Sequence, residues 1–252
     1  MISNIILDVD GTIWDSAPQV TNAWNEVLAA HRDLTNLVLT VSDTYSQMGK
    51  TMTDIALSLF PAVSDTERVL LMDECMSHEN EYLSAHPGVI YPGLKETVHA
   101  MISSRTNPCR FYIVSNCQEG YIEAMLADKE MAEMITDYDC FGRTKLPKGD
   151  TIRILMERNH LSQSTCLYLG DTRMDEIAAD KAGIPFIHAS YGFGSAQHPA
   201  AVISDIRELP EAVRTVSGRS ASAVCPADQL VQRQISSENI ESAADRDIHP
   251  SR

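Results

Sequence analysis

The sequence predicts an α/β fold: a doubly wound parallel sheet with an inserted, all-helical domain. Three observations carry this prediction. Short apolar runs of strand length occur at Ile5-Ile6-Leu7, Phe111-Tyr112-Ile113-Val114, Cys166-Leu167-Tyr168-Leu169 and Phe186-Ile187-His188-Ala189, and amphipathic helical patterns separate the last three. Such alternation implies strands buried on both faces with helices packed above and below. Residues 16–86, between the first strand and the rest, read as helix alone, which makes that stretch an insertion. The first three strands also end in polar residues, at the edge where open parallel sheets bind ligands.

In chain order, the first strand runs into Asp8-Val9-Asp10-Gly11-Thr12. Ser16-Ala17-Pro18-Gln19 has the spacing of a helix-capping box, and Val20, Ala23, Trp24, Val27 and Leu28 follow at helical intervals. A second helix is expected to close near Gly49. A third runs from about Thr53 to Pro61, and Ser64-Asp65-Thr66-Glu67 opens a fourth through Leu70, Met72 and Met76 towards Leu83. From Tyr91-Pro92-Gly93 onward helix and strand alternate. Helices are expected around Leu94 to Ile102, Tyr121 to Leu126, Ile152 to Met156, and briefly after Asp171. The expected division is a core of residues 1–15 and 87–216, a helical cap of 16–86, and a polar tail of 217–252. That tail is read as disordered or weakly docked, with at most a marginal helix over 229–243.

Composition narrows the function. With 252 residues and 44% hydrophobic content, the chain has enough apolar material for a proper core. The net charge of −15 repels nucleic acid and anionic membranes, so neither is expected as a partner. No apolar run is long enough to span a bilayer, and the N-terminus lacks a basic-then-apolar signal pattern, so a cytoplasmic location is expected. Cys75, Cys109, Cys117, Cys140, Cys166 and Cys225 show no metal-ligand spacing and are read as reduced and structural. The eight histidines show none either. Oligomeric state is not readable.

The chemistry lies at the strand ends. Asp8 and Asp10, one residue apart, leave the first strand on the same side, and Gly11 lets the backbone turn. Ser115 and Asn116 end the second core strand and Asp171 the third, with Asp175 one helical turn further on. Several converging carboxylates repel each other unless a cation lies among them, and hard oxygen ligands of this kind suit Mg²⁺.

Together these signals resemble the haloacid dehalogenase superfamily, over about residues 2–216. Asp8-Val9-Asp10-Gly11-Thr12 fits its first motif, Ser115 after an apolar strand the second, a lysine ahead of the helix containing Ile152 the third, and Gly170-Asp171-Thr172-Arg173-Met174-Asp175 the fourth. Within the superfamily the chain is most similar to the phosphoglycolate-phosphatase-like group. The resemblance implies a Mg²⁺-dependent phosphatase acting on a small phosphorylated metabolite. Asp8 would be the nucleophile that forms an aspartyl-phosphate, and Asp10 the acid and then the base. Metal would be held by Asp8, the backbone carbonyl of Asp10 and Asp171, with Asp175 supporting it. Ser115, the Asn116 N–H and a lysine would cradle phosphoryl oxygens. Lys145 and Lys148 both flank Leu146-Pro147; Lys148, four residues before Ile152, is preferred. Thr12 joins the substrate-binding candidates, though its expected part is to fix the loop.

Lys50 is a further candidate. Residues 16–86 contain only Arg32, Lys50 and Arg68 as Lys or Arg against ten acids, and the resemblance to capped phosphatases implies that the Met48-Gly49-Lys50 turn faces the site. Trp14 and Trp24 are read as packing groups, and Tyr191-Gly192-Phe193-Gly194 as a loop beside the site. Asp10 argues against a dehalogenase, whose leaving halide takes no proton. A phosphomutase of the β-phosphoglucomutase kind shares every motif and remains the alternative. A catalytically idle binding protein on the same scaffold is the reading from another class.

Overall fold

The computed structural model describes residues 1–222. In chain order its elements are β1 (Asn4–Leu7), β2 (Trp14–Asp15), α1 (Ala17–Ala30), α2 (Val41–Tyr45), α3 (Met52–Leu59), α4 (Asp65–Ala85), β3 (Val89–Ile90), α5 (Leu94–Ile102), β4 (Arg110–Ser115), α6 (Tyr121–Met125), α7 (Lys129–Met134), β5 (Ile135–Cys140), α8 (Phe141–Thr144), α9 (Lys148–Arg158), β6 (Cys166–Gly170), α10 (Arg173–Ala182), β7 (Phe186–Ala189), β8 (Ala201–Ile203) and α11 (Leu209–Ser222). Six strands form one sheet in the order β5-β4-β1-β6-β7-β8, and every pairing is parallel.

β1 is central, with all four residues buried. Its side chains alternate between two apolar layers, as a strand buried on both faces must. Ile5 and Leu7 join Phe111, Ile113, Leu167 and Leu169 on one face, against α5 and α11. Ile6 joins Tyr112, Val114 and Tyr168 on the other, against α9 and α10. Leu7 is in register with both Ile113 and Leu169, so the carboxyl ends of β1, β4 and β6 stand side by side. The first of these layers is continuous with the interior of the helices α1 to α4 through Val20, Trp24 and Leu28. α1 packs along the 21-residue α4, and the turn between α2 and α3 meets the residues that follow β4 through the Asn116–Gly49 hydrogen bond. Its two connections to the core pair as an antiparallel ribbon, Trp14 with Ile90 and Asp15 with Val89.

Several details differ from the sequence reading, which contains neither β5 nor β8. Both are edge strands, and β5 (Ile-Thr-Asp-Tyr-Asp-Cys) mixes charge with partly exposed positions, so it lacks the apolar run of a central strand. α2 ends at Tyr45, four residues before Gly49, and the intervening residues form turns. The Ser16 capping box does not form: the Ser16 side chain makes no bond to the helix end. Its hydroxyl donates instead to Asp10 Oδ1 at 2.8 Å, while Asp15 Oδ1 accepts from the Ala17 N–H at 3.0 Å. At the other end α11 continues through Ser222, past the expected boundary at 217, and the Ile2 N–H donates to Ser217 Oγ at 3.1 Å. The marginal helix expected over 229–243 lies outside the described residues.

Candidate active site

Asp8 follows β1 directly and its N–H donates to the Leu169 carbonyl at 2.9 Å, which continues the sheet by one rung. Gly11 has φ +76°, and a Cβ there would run into the Asp171 carboxylate. A glycine is therefore required on both conformational and steric grounds. Asp171 follows β6 directly, and Asp175 sits in the first turn of α10. Asp8, Asp171 and Asp175 are buried and each offers a carboxylate oxygen, all within 4.8 Å of one another. The carboxylate of Asp10 is not part of this cluster.

Lys148, the first residue of α9, is buried among these acids, its Nζ 3.0 Å from Asp8 Oδ1 and 2.6 Å from Asp175 Oδ1. Lys145 is exposed at a left-handed turn with φ 56°. The structure thus brings Lys148, and not Lys145, to the cluster. Asp175 is held twice over, since its Oδ2 also accepts from the Thr172 N–H at 2.9 Å and the Thr172 hydroxyl at 2.6 Å. Asp171 Oδ2 accepts from the Phe193 N–H at 2.7 Å, so the loop around Tyr191-Gly192-Phe193-Gly194 braces this acid.

Electrostatics follow from burial. Desolvation, and then the Asp175 carboxylate, push Asp8 up to about 7 against the pull of Lys148. The same two causes push Asp171 up to about 8. Burial alone would lower the Lys148 ammonium, but Asp175 and Asp8 hold it above the ordinary lysine range. Among the described residues, the cluster sets three carboxylates against one ammonium. Asp171 Oδ1 is buried without a hydrogen bond, and Asp8 Oδ1 is buried against the Lys148 ammonium. A formal excess of two carboxylates over ammonium, with an unbonded oxygen on Asp171, is what a small divalent cation with oxygen ligands requires, so the residues present fit Mg²⁺.

Asp10 has a separate environment. Its Oδ1 accepts from the Tyr121 hydroxyl at 2.6 Å, the Ser16 hydroxyl at 2.8 Å and the Trp14 indole N–H at 3.1 Å. Burial raises this carboxyl, and the three donors, Tyr121 first, partly offset the rise. Across the chamber Ser115 and Asn116 end β4, and both are buried. Asn116 Nδ2 donates to the Gly49 carbonyl at 2.8 Å, which ties the core to the turn between α2 and α3. Lys50 lies on that turn, exposed, and lines the chamber with its Nζ on Gln47 Oε1 at 2.9 Å. Thr12 is fully buried outside the chamber, and its carbonyl accepts from the Tyr191 hydroxyl at 2.9 Å. The placement gives Thr12 a loop contact through its carbonyl, and its buried hydroxyl has no hydrogen-bond partner among the described residues.

Four side chains at this site escaped the sequence reading: Tyr121, Ser16, Trp14 in its hydrogen-bonding part, and Glu79. Glu79, in the middle of α4, is 1% exposed and lines the chamber with Trp24, whose indole N–H donates to Glu79 Oε2 at 2.5 Å. Burial pushes this carboxyl up to about 8, against the Gln118 and Trp24 donors. An acid in a helix ordinarily reads as a solvated face. The only signal that could have found it is that Glu79 falls on the stripe of Met72, Cys75 and Leu83, all buried.

Comparison with known proteins places this geometry. Residues 5–189 match the family described as haloacid dehalogenase-like hydrolase. The chain belongs to that family. It is 22% identical over 253 residues to phosphoglycolate phosphatase 1 of Pseudomonas aeruginosa, covering 90% of this chain and 84% of the relative. It is 25% identical over 228 residues to a phosphoglycolate phosphatase of Vibrio vulnificus, covering 84% and 96%. Among solved structures, β-phosphoglucomutase of Clostridium difficile superposes with a TM-score of 0.67 at 17% identity, covering 88% of this chain and all of that one. A haloacid dehalogenase-like family protein of Streptococcus pneumoniae gives 0.70 at 18%, covering 83% and 97%. These likenesses fix the fold as that of the family's hydrolases. No helix among the described residues is long and apolar enough to cross a membrane.

Proposed function

We propose that this hydrolase is a Mg²⁺-dependent phosphatase that cleaves a small-metabolite phosphomonoester through an aspartyl-phosphate on Asp8. The observation that carries the reading is the buried cluster of Asp8, Asp171 and Asp175 with one lysine, two charges short of neutral. Asp8, the Asp10 backbone carbonyl and Asp171 would hold the ion, with Asp175 behind them. Bound there, Mg²⁺ supplies positive charge to a phosphoryl oxygen.

The rest of the work falls to side chains. A carboxylate oxygen of Asp8 bonds to phosphorus as the ester P–O bond breaks. The raised carboxyl of Asp10 gives its proton to the departing alkoxide and then, as carboxylate, takes a proton from the water that displaces Asp8. Tyr121, Ser16 and Trp14 fix Asp10 on one oxygen throughout. Lys148, the Ser115 hydroxyl and the Asn116 N–H offer positive ends to the equatorial oxygens, where the transition state carries its charge. Lys50 stands at the chamber wall to meet the remainder of the substrate.

The chamber encloses only about 40 Å³. A water needs roughly 10–15 Å³ on that measure, so a metabolite enters only when the cap swings away. The ribbon of β2 and β3 is the natural hinge, since both chain crossings pass through it.

A phosphate-release screen over small phosphomonoesters, with Mg²⁺ and with excess chelator, tests this reading. Turnover that needs the metal and is lost in Asp8→Asn is expected. Turnover surviving either change would refute it. A phosphoryl group passed to a sugar instead of water would reassign the chain to the phosphomutase alternative.

A further inference from the structure

The loop Tyr191-Gly192-Phe193-Gly194 touches the acidic cluster and the cap at once, and the mechanism gives it no part beyond bracing Asp171. Its Phe193 N–H donates to Asp171 Oδ2 at 2.7 Å, while Asp171 Oδ1 has no hydrogen bond. That single bond therefore sets the direction of the Asp171 carboxylate. The loop lies close over the acid: a Cβ on Gly192 would collide with the Asp171 side chain and the Gly11 carbonyl. The Phe193 ring lies against Gly11 and meets the Tyr45 ring, with centroids 4.8 Å apart. Tyr45 is the last residue of α2 in the cap, and its hydroxyl donates to Asp15 Oδ2 at 2.6 Å. Asp15 belongs to the β2–β3 ribbon through which the chain enters the cap. Phe193 thus spans from a cap aromatic to a carboxylate of the cluster. Both rings are half-buried, and α2 cannot leave the core without parting them.

We infer that Phe193 is a positioning residue that couples cap closure to the Asp171 carboxylate: with Tyr45 on its ring, it fixes the loop that aims this acid at a divalent cation. The inference rests on the phosphatase reading, in which Asp171 is a metal ligand and the cap opens to admit substrate. While the cap is down, the loop is held from both sides, by Tyr45 above the ring and by Asp171 on the backbone. When the cap swings away, Phe193 loses its aromatic neighbour, and the loop has only the Asp171 bond to order it. An acid aimed less firmly binds a cation less tightly, because its direction must be fixed on binding. Coupling between two such events is reciprocal, so a loaded cluster favours the closed cap by the same factor. Closure and loading then coincide, and the cap excludes bulk water at the stage when Asp8 meets phosphorus.

The test is the Mg²⁺ affinity of the substrate-free protein, read from the rise of Tm with Mg²⁺ concentration. Tyr45→Leu takes the ring off Phe193, and Phe193→Leu removes the ring while keeping the backbone N–H on Asp171. Each weakens Mg²⁺ binding by about fivefold or more. The double variant is no weaker than the weaker single variant, because both changes cut one link. Tyr45→Phe keeps the ring, loses only the hydrogen bond to Asp15, and binds Mg²⁺ as the wild type does. A merely structural role would lower the Tm of the metal-free protein and leave the Mg²⁺ affinity where it was. Wild-type affinity in either leucine variant, additive losses in the double variant, or an equal loss in Tyr45→Phe overturns the inference. If one leucine variant does not fold, the other decides alone. A wild type whose Tm ignores Mg²⁺ removes the metal reading and this inference together, whereas a responsive wild type leaves that reading standing whatever the variants do.

Discussion

Lys148→Met removes the one positive charge inside the acidic cluster while keeping a side chain of similar length. In the wild type the ammonium lies 3.0 Å from Asp8 and 2.6 Å from Asp175, and the residue is only 5% exposed. Removing one partner of a buried ion pair costs about 3–5 kcal/mol, because the other partner stays buried and uncompensated. For a chain of this size each kcal/mol moves Tm by about 2–4 °C, so a fall of about 6–20 °C is expected in chelator. The measurement belongs above pH 8, where Asp8 (about 7) and Asp171 (about 8) are both ionised in the folded protein. Saturating Mg²⁺ restores charge at the same point, so the deficit shrinks by at least about half when the metal is present. Thermal unfolding of both proteins in chelator and in Mg²⁺ reads this directly. An equal deficit in the two conditions would refute the reasoning, because the lysine would then act by packing alone.

Other predictions concern Glu79 and Asp10, the two acids that burial raises. Glu79 stands at about 8 in the folded protein against an ordinary value of 4.5, so between those pH values the folded state holds a proton that the unfolded state has lost. Stability therefore falls as pH rises through this window and levels off above it, by at most about 5 kcal/mol from this group. Denaturant titrations across pH, compared between wild type and Glu79→Gln, isolate the slope; identical slopes would contradict the assignment. Tyr121→Phe removes the shortest hydrogen bond to Asp10, 2.6 Å, and with it the largest influence holding that carboxyl down. The alkaline limb of the kcat/KM profile should move to higher pH, and kcat should fall about tenfold or more, since a hydrogen bond to a charged group is worth about 1.5–3 kcal/mol. An unshifted limb would mean that Asp10 is not the proton donor.

The parts of the site that a short stretch of chain can specify were legible. Asp8, Asp10, Ser115 and Asp171 sit at or just past strand ends, and Asp175 one helical turn on from Asp171, so a strand's apolar run followed by its polar terminus places them without knowledge of the fold. The structure gathers Asp8, Asp171 and Asp175 within 4.8 Å because β1 and β6 are neighbours in register. Local patterns misled where tertiary partners prevailed over them. Ser16 has the spacing of a helix cap, yet Asp10 and Tyr121 compete for its hydroxyl, so the cap is not made. Glu79 and Tyr121 are separated from Asp10 by dozens of residues: Tyr121 reaches it from α6 beside the central strands, and Glu79 lines the same chamber only because α4 packs against α6. β5 carries Asp137 and Asp139, which pair with Arg158 at 2.9 and 2.8 Å, so its polar residues report a helix contact that no strand pattern encodes.

The central claim is that phosphorus passes through a covalent bond to Asp8, and Asp10→Asn with p-nitrophenyl phosphate tests it most directly. The nitrophenolate leaves without needing a proton, so the first step survives the substitution, whereas the attacking water has lost its base and the second step stalls. Acid quenching followed by mass spectrometry should find one phosphoryl group on the peptide that contains Asp8, and none when Asp8→Asn is added. Nitrophenolate released without any such adduct would contradict the account.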